Sequence, residues 1–322
     1  MKALLLCLSA LSVVFAQKEQ VVEASGVARS GNNLFVVDDS VGGVCFRLRL
    51  PADPKGVMSL NAMGPQRVRL AGGRLAIDLE GIDFLADGRL AVVSERTRTL
   101  IGEEDTIAEY DQPFSEFAKR GLEGVSARPI GDETSRIAVV WEGGYPDPPS
   151  VPIPLRRWVG RKALNPMLFI HDLKRGVKDA RVRLTDGMFA EVQVPRPPGA
   201  EPQAQRFRAS DLTWTRLPGD QWGLILLISS QNSALKPLYQ FHWLQRFTVQ
   251  GKPIGAPVDI DKLTPASSRG ANWEGVAWFE PGRRVIIVHE AEPNLEAHAM
   301  VIDLPADWQF GGDAGPSANH VK

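Results

Sequence analysis

Short apolar runs separated by turn residues dominate the pattern along this chain. The runs are rich in Val, Ile and Leu, and each is bounded by Gly, Asp, Asn or Pro. Clear examples are residues 34–37, 90–93, 137–140, 224–228 and 285–288. Stretches with the 3.6-residue periodicity of a long amphipathic helix are hard to find. The pattern therefore predicts an all-β protein.

One sequence unit occurs five times along the chain. It begins with a small or acidic residue, usually Gly, and continues with an apolar strand, a turn and a second apolar strand that ends in acidic or amide residues. The copies span residues 25–39, 79–96, 122–142, 210–232 and 273–290. In the fourth copy Asp211 replaces the glutamate of the other copies and the glycine is missing.

The spacing of these units predicts a single β-propeller. Counted from Ser25 and from the acidic residues Glu80, Glu123, Asp211 and Glu274, successive copies lie 55, 43, 88 and 63 residues apart. Repeats of about 40 to 50 residues built from four short antiparallel strands are typical of propeller blades. The 88-residue interval leaves room for a degenerate blade or for long insertions, so we favour six blades and keep five as the alternative. One ring implies one domain, which we place at residues 17–308.

Carboxylates are predicted to gather at one mouth of the central channel. In a propeller the first strand of each blade lines the channel and the second returns beside it, so the start of the first strand and the end of the second share one mouth. This places one acidic residue from each of four units at the channel, namely Glu80, Glu123, Asp211 and Glu274. Close behind them lie Asp38, Asp39, Glu95, Glu142, Gln231, Asn232 and Glu290.

Three interpretations of this acidic cluster remain open: a bound cation, a structural role of the carboxylates, and a water-filled channel without a ligand. Unpaired carboxylates repel one another, and a hard cation such as Ca²⁺ accepts several carboxylate oxygens at once. We therefore expect the four first-strand residues, Glu80, Glu123, Asp211 and Glu274, to bind Ca²⁺. In the alternative interpretation the carboxylates cap backbone N–H groups or pair with arginines from neighbouring blades.

The order of these units resembles a family of secreted bacterial propellers. The motifs that carry the resemblance are Ser25-Gly26-Val27-Ala28, Leu79-Glu80-Gly81-Ile82, Leu122-Glu123-Gly124-Val125, Ser210-Asp211-Leu212 and Trp273-Glu274-Gly275-Val276-Ala277. They are similar to the SdiA-regulated and phytase-like (esterase-like activity of phytase) proteins over about residues 20 to 305. The resemblance implies a propeller with an acidic, calcium-binding axis, and it leaves the activity open.

Two functions fit these features. The first is a Ca²⁺-dependent hydrolase of a phosphate ester, another ester or a lactone, in which Glu95, Glu142 or Glu290 acts as general base and Arg96 binds the negative charge of a small anionic substrate. Arg98 and Arg128 also follow mouth carboxylates and are candidates on the same grounds. The second is a non-catalytic extracytoplasmic binding propeller with a structural Ca²⁺ ion.

The net charge and the two chain ends predict the class of partner and the location of the protein. Lys plus Arg (37) nearly balances Asp plus Glu (38), which argues against nucleic acid as a partner. Residues 1–16 have the pattern of a signal peptide, and no later run is long enough for a membrane span. We therefore expect a secreted or periplasmic monomer, without a disulfide because cleavage leaves only Cys45. Residues 309–322 are expected to form a disordered tail.

Overall fold

The structure, a computed structural model, describes residues 19–73, 76–111, 121–143, 165–195, 206–231, 239–265, 271–291 and 296–310. The predicted signal peptide, the tail beyond residue 310 and nearly all of the Pro-rich and Arg-rich segment 145–166 lie outside these residues. No helix in the described part of the chain has the length and apolar character needed to cross a bilayer.

The described strands form five sheets, each of which is one blade of a ring. Blade 1 contains β1 (Ala24–Ser30), β2 (Asn33–Asp38), β3 (Val44–Arg49) and β5 (Gln66–Arg69). Blade 2 contains β6 (Leu79–Phe84), β7 (Leu90–Ser94), β8 (Thr99–Ile101), β9 (Thr106–Tyr110) and β13 (Ala180–Val182). Blade 3 contains β10 (Leu122–Pro129), β11 (Thr134–Trp141), β12 (Met167–Lys174) and β14 (Met188–Glu191).

The last two blades complete the ring. Blade 4 contains β15 (Arg206–Leu217), β16 (Gln221–Gln231), β17 (Tyr239–Thr248) and β18 (Pro253–Asp259). Blade 5 contains β19 (Trp273–Glu280), β20 (Arg284–His289), β21 (His298–Asp303) and β4 (Val57–Ser59). Short 3₁₀ turns lie at Asn61–Met63, Leu184–Asp186 and Ala306–Trp308.

The predicted all-β propeller is confirmed. It has five blades, the number that we kept as the alternative, and not the six that we favoured. The long interval between the third and fourth units contains no further sheet among the described residues. Its strands β12 and β14 complete blade 3, and β13 pairs in parallel with β9 of blade 2. Two strands, β13 and β4, therefore pair with a blade other than the one that contains the preceding strand of the chain. β4 closes the ring by pairing with β21.

The hydrophobic core is divided among the five interfaces between neighbouring blades. Each of five clusters of buried side chains draws its members from two adjacent blades. Representative fully buried members are Phe169, Phe46, Trp214, Trp273 and Leu79. Since a blade buries its faces only against its neighbours, each blade depends on the two interfaces that flank it.

The first strands of the blades meet around the axis at closely packed glycines. A Cβ added to Gly81 would lie 2.6 Å from the backbone nitrogen of Val125 and 2.7 Å from the Cα of Gly124, and one added to Gly26 would lie 2.2 Å from the carbonyl oxygen of Glu80. The glycine of the repeated unit is therefore explained by the approach of two backbones.

Substituting Gly81 with alanine is expected to destabilise the fold by about 1 to 3 kcal/mol, because backbone rather than a flexible side chain blocks the added methyl group. Gly102 is the control, since a Cβ added there would first meet the side-chain oxygen of Asp105, at 3.1 Å. Chemical denaturation of both variants measures the difference. An equal effect of Gly81→Ala and Gly102→Ala would contradict this role of Gly81.

Candidate functional site

Each first strand carries a β-bulge where it enters the ring, and this bulge fixes the first row of candidate residues. The pairing register shifts between Ala24 and Gly26 in blade 1, and at the same place in the other four blades. The residues that precede the glycine position at the bulges are Ser25, Glu80, Glu123, Ser210 and Glu274. All five are less than 9% exposed. We call this end of the channel the axial mouth.

A second row of residues follows the ends of the second strands, next to the first row. The last paired residues of these strands are opposite the start of each first strand, as Ser94 is opposite Leu79. The next residues along the chain are Asp39, Glu95, Glu142 and Glu290 in blades 1, 2, 3 and 5. In blade 4 the two strands extend further, and the equivalent residue, Ser229, lies within β16 and pairs with Arg208. Four blades therefore contribute a carboxylate to this row, and blade 4 contributes a serine to both rows.

Blade 4, which has no carboxylate in either row, contributes an arginine that was not predicted from the sequence. Arg208 lies on β15, two residues before Ser210, and its side chain is 11% exposed. Its Nη2 atom lies 2.9 Å from Oε2 of Glu123, and its Nε atom lies 2.9 Å from Oε1 of Glu142. Glu274 Oε1 is 3.3 Å from the same Nη2 atom. Arg208 thus joins blade 4 to carboxylates of blades 3 and 5.

Three carboxylates at the axial mouth have the arrangement of a metal-binding cluster. Oxygens of Glu95, Glu123 and Glu142 all lie within 4.8 Å of one another. Glu95 comes from blade 2 and the other two from blade 3, so the cluster spans one interface. The backbone N–H of Gly121 donates to Oε1 of Glu95 at 2.9 Å, which orients that carboxylate.

Burial and mutual repulsion raise the pKa values of several mouth carboxylates. Burial, followed by the charge of Glu123, raises the pKa of Glu95 to about 8 and the pKa of Glu80 well above its usual range. Burial also raises the pKa of Glu274 to about 8, although Arg208 opposes this shift. For Asp39, burial and a hydrogen bond to Glu23 raise the pKa to about 9. A cation bound at this mouth would relieve the same repulsion.

Asn272 donates hydrogen bonds to both glutamates that blade 5 contributes to the mouth. Its Nδ2 group donates to Oε1 of Glu290 at 3.0 Å and to Oε1 of Glu274. Asn272 is only 2% exposed, and its Oδ1 atom has no hydrogen-bond partner among the described residues. Glu290 and Glu274 are therefore both held by the amide of Asn272.

Asp211 takes a different place from the one expected of it. The register aligns Asp211 with the glycine positions of the other blades and gives the glutamate position to Ser210. Its carboxylate accepts hydrogen bonds from the backbone N–H groups of Leu212 and Val276, both at 2.8 Å. Both oxygens are engaged, so Asp211 connects blades 4 and 5 through their backbones.

The other predicted residues are distributed between the mouth and the surface. Arg96 is exposed beside Glu95. Asp38 accepts hydrogen bonds from the N–H groups of Val22 and Ser40, at 2.7 and 3.1 Å, which is a local structural role. Arg128 lies at the opposite end of β10 from Glu123, so it does not reach the mouth. Asn232 lies outside the described residues, as does the side chain of Gln231.

Comparison with known proteins leaves the family open. No family model matches the chain and no curated protein matches it. Among solved structures, the chain is similar to virginiamycin B lyase from Staphylococcus aureus, with 9% identity, a TM-score of 0.38, and coverage of 89% of this chain and 97% of that one. A streptogramin B lyase structure matches with 8% identity, a TM-score of 0.37, and coverage of 91% and 86%. The five-bladed architecture is read from the strand pairing itself.

Proposed function

We propose that the axial mouth binds a divalent cation, Ca²⁺ by the chemistry of its ligands, and that the loaded mouth hydrolyses a small anionic ester. The observation that supports it is the cluster of Glu95, Glu123 and Glu142, whose oxygens lie within 4.8 Å of one another. An all-carboxylate donor set at this spacing fits a hard cation. We further propose that the protein acts outside the cytoplasm, as the pattern of residues 1–16 predicts.

The residues around this cluster have separate roles in the proposal. Glu123 and Glu142 bind the cation from blade 3, and their contacts with Arg208 fix the orientation of both carboxylates. When bound, the cation would polarise the ester and lower the pKa of a coordinated water. Arg96 is exposed beside Glu95 and attracts the negative charge of the substrate.

Glu290 is the general base in this proposal. It follows the second strand of blade 5 in the same row as Glu95, and Asn272 donates to it at 3.0 Å. A base that is held by a neutral amide remains available to accept a proton from water. Glu274 stays paired with Arg208 and with Asn272, so it is a positioning residue.

Glu95→Gln is expected to weaken Ca²⁺ binding about tenfold, because Gln keeps the acceptor for the Gly121 N–H and removes only the charge. Glu290→Gln is the matched control, since it removes a charge from the same row outside the cluster. Calorimetric titration with Ca²⁺ measures the affinity, and turnover on a panel of phosphate esters and lactones is assayed with and without chelator. Equal Ca²⁺ affinities for Glu95→Gln and wild type would contradict the site.

A non-catalytic binding propeller is the second candidate, and one observation favours it. Arg208 already supplies a cation that connects three blades at the mouth, so the ring is stabilised there without substrate chemistry. This function predicts Ca²⁺ binding without turnover on the panel. Loss of turnover in Glu290→Gln, with Ca²⁺ affinity unchanged, would instead support the hydrolase.

A further inference from the structure

A second charged site lies at the opposite end of the channel and is independent of the axial mouth. Arg128 is the seventh residue of β10, five residues beyond Glu123. At about 3.3 Å per residue, these two positions are roughly 17 Å apart along the strand. Arg128 pairs across the hairpin with Arg136, so two like charges are directly opposite each other.

Two tryptophans form the surface on which the Arg128 side chain lies. Its guanidinium carbon is 4.9 Å from the centre of the Trp214 ring and 4.4 Å from that of Trp222. The two rings are nearly perpendicular, at 89°. Arg216 also lies over Trp222, at 4.0 Å. These cation–π contacts hold the Arg128 guanidinium against the two rings, and they supply no oxygen acceptor for its N–H groups.

Those N–H groups have no partner in the part of the chain that the structure describes. Arg128, Arg208 and Arg246 are the buried arginines of the described residues, at 8, 9 and 3% exposure. Arg208 contacts three glutamates, and Arg246 contacts Asp307 at 3.3 Å. Arg128 makes no hydrogen bond or ion pair with any described residue, and its Nε atom is buried without an acceptor. An N–H group that is buried without an acceptor is costly, as the Nε–H of Arg128 is here.

The charges around Arg128 add to this imbalance. Arg136 is paired with Asp172 at 2.7 Å, and Arg216 with Asp220 at 3.1 Å. Both acceptors are at least partly exposed, and neither reaches Arg128. Burial lowers the pKa of Arg128 to about 10; the charges of Arg136 and Arg216 act in the same direction, and the charge of Asp172 opposes them. The electrostatic environment therefore favours an added anion.

We propose that Arg128, stacked on Trp214 and Trp222, is the centre of a binding site for a doubly charged tetrahedral oxyanion such as phosphate. The guanidinium fork donates two parallel hydrogen bonds to such an anion. Arg136 and Arg216 each have an aspartate partner, so Arg128 carries the one positive charge in this group without a described carboxylate. A tetrahedral oxyanion offers the fork four acceptor oxygens and a higher charge density than a carboxylate. The site is reached between the hairpin tips at residues 130–133 and 218–220, which are mostly exposed.

Tryptophan fluorescence tests this site, because Trp214 and Trp222 lie against the guanidinium. The protein as purified is titrated with inorganic phosphate, sulfate and acetate at ionic strength held constant with NaCl. We expect a saturable change with phosphate and sulfate, and binding at least tenfold weaker with acetate. No saturable change in the wild type, or the same response to acetate, overturns the proposal.

Arg128→Met and a matched control separate binding from structure. Arg29→Met is the control, since Arg29 also stacks on an aromatic ring, Phe279, at 4.7 Å, in blades 1 and 5. Arg128→Met is expected to lose phosphate binding at least tenfold, and Arg29→Met to stay within twofold of the wild type. Without phosphate, Arg128→Met should melt no lower than Arg29→Met.

The remaining outcomes are also decisive. Phosphate binding that persists in Arg128→Met places the anion elsewhere and overturns the proposal. If Arg128→Met does not fold, Arg128→Lys replaces it; this variant keeps the charge, lacks the fork and is expected to bind phosphate more weakly than the wild type. Equal binding by Arg128→Lys and the wild type overturns the role of the fork.

Discussion

Replacing Arg208 with glutamine is expected to lower the free energy of unfolding by about 3 to 5 kcal/mol, the range found when one partner of a buried ion pair is removed. Glu123, Glu142 and Glu274 would each lose the guanidinium that contacts them, and their side chains are only 5, 6 and 9% exposed. Water therefore has little access to the charges that remain. Chemical denaturation in a metal-free buffer measures the loss.

Arg246→Gln provides the control for this experiment. Arg246 is also buried, but its partner Asp307 has a side chain that is 70% exposed. Once unpaired, Asp307 is solvated, so the loss of stability is expected to be clearly smaller than for Arg208→Gln. Equal losses in the two variants would show that the glutamates around Arg208 are already protonated or solvated.

The same variant tests whether Arg208 and a metal ion act on the same carboxylates. Glu123 and Glu142 contact Arg208 and also belong to the three-carboxylate cluster. In Arg208→Gln, these two carboxylates lose the guanidinium that contacts both of them, so a divalent cation at the cluster meets less competing positive charge. Ca²⁺ should therefore raise the melting temperature of Arg208→Gln more than that of the wild type. A smaller rise in the variant would place the ion elsewhere.

The part of this site that follows the repeated unit was predictable from the sequence. Glu80, Glu123 and Glu274 each precede the glycine that allows two backbones to approach, so the Glu-Gly pair marks the bulge at the mouth. Asp211 was aligned one position too early because its unit has no glycine to fix the register. Because Asp211 lies at the glycine position, its carboxylate accepts a hydrogen bond from the backbone N–H of Val276 in the next blade.

The role of Arg208 and the number of blades could not be predicted from the sequence, because both depend on contacts between units. Arg208 lies outside the repeated unit, and only the ring brings it to carboxylates 85 and 66 residues away in sequence. A signal existed, since the one unit with serine in both rows, Ser210 and Ser229, also carries an arginine two residues before Ser210. The number of blades was uncertain for the same reason, because β4 and β13 pair with blades other than their sequence neighbours.

Calcium is expected to reverse the pH dependence of stability at alkaline pH. In chelator, the raised pKa values of Glu95 and Glu274, about 8, and of Asp39, about 9, mean that the folded state holds protons that the unfolded state releases near pH 4. This contribution to stability is present at low pH and is lost as the pH rises through 8 to 9. The melting temperature in chelator should therefore fall between pH 6.5 and pH 9.

A bound cation changes the sign because it requires the ionised carboxylates. At a hundredfold excess over the dissociation constant, an ion that binds only the folded ring stabilises it by about 2.7 kcal/mol, and this contribution grows as Glu95 and its neighbours lose their protons. In millimolar Ca²⁺ the melting temperature should hold or rise from pH 6.5 to pH 9. Differential scanning fluorimetry in chelator and in Ca²⁺ at both pH values measures the four melting temperatures. Parallel falls in the two buffers would mean that no cation binds at the mouth, and that Arg208 and protons alone balance its carboxylates.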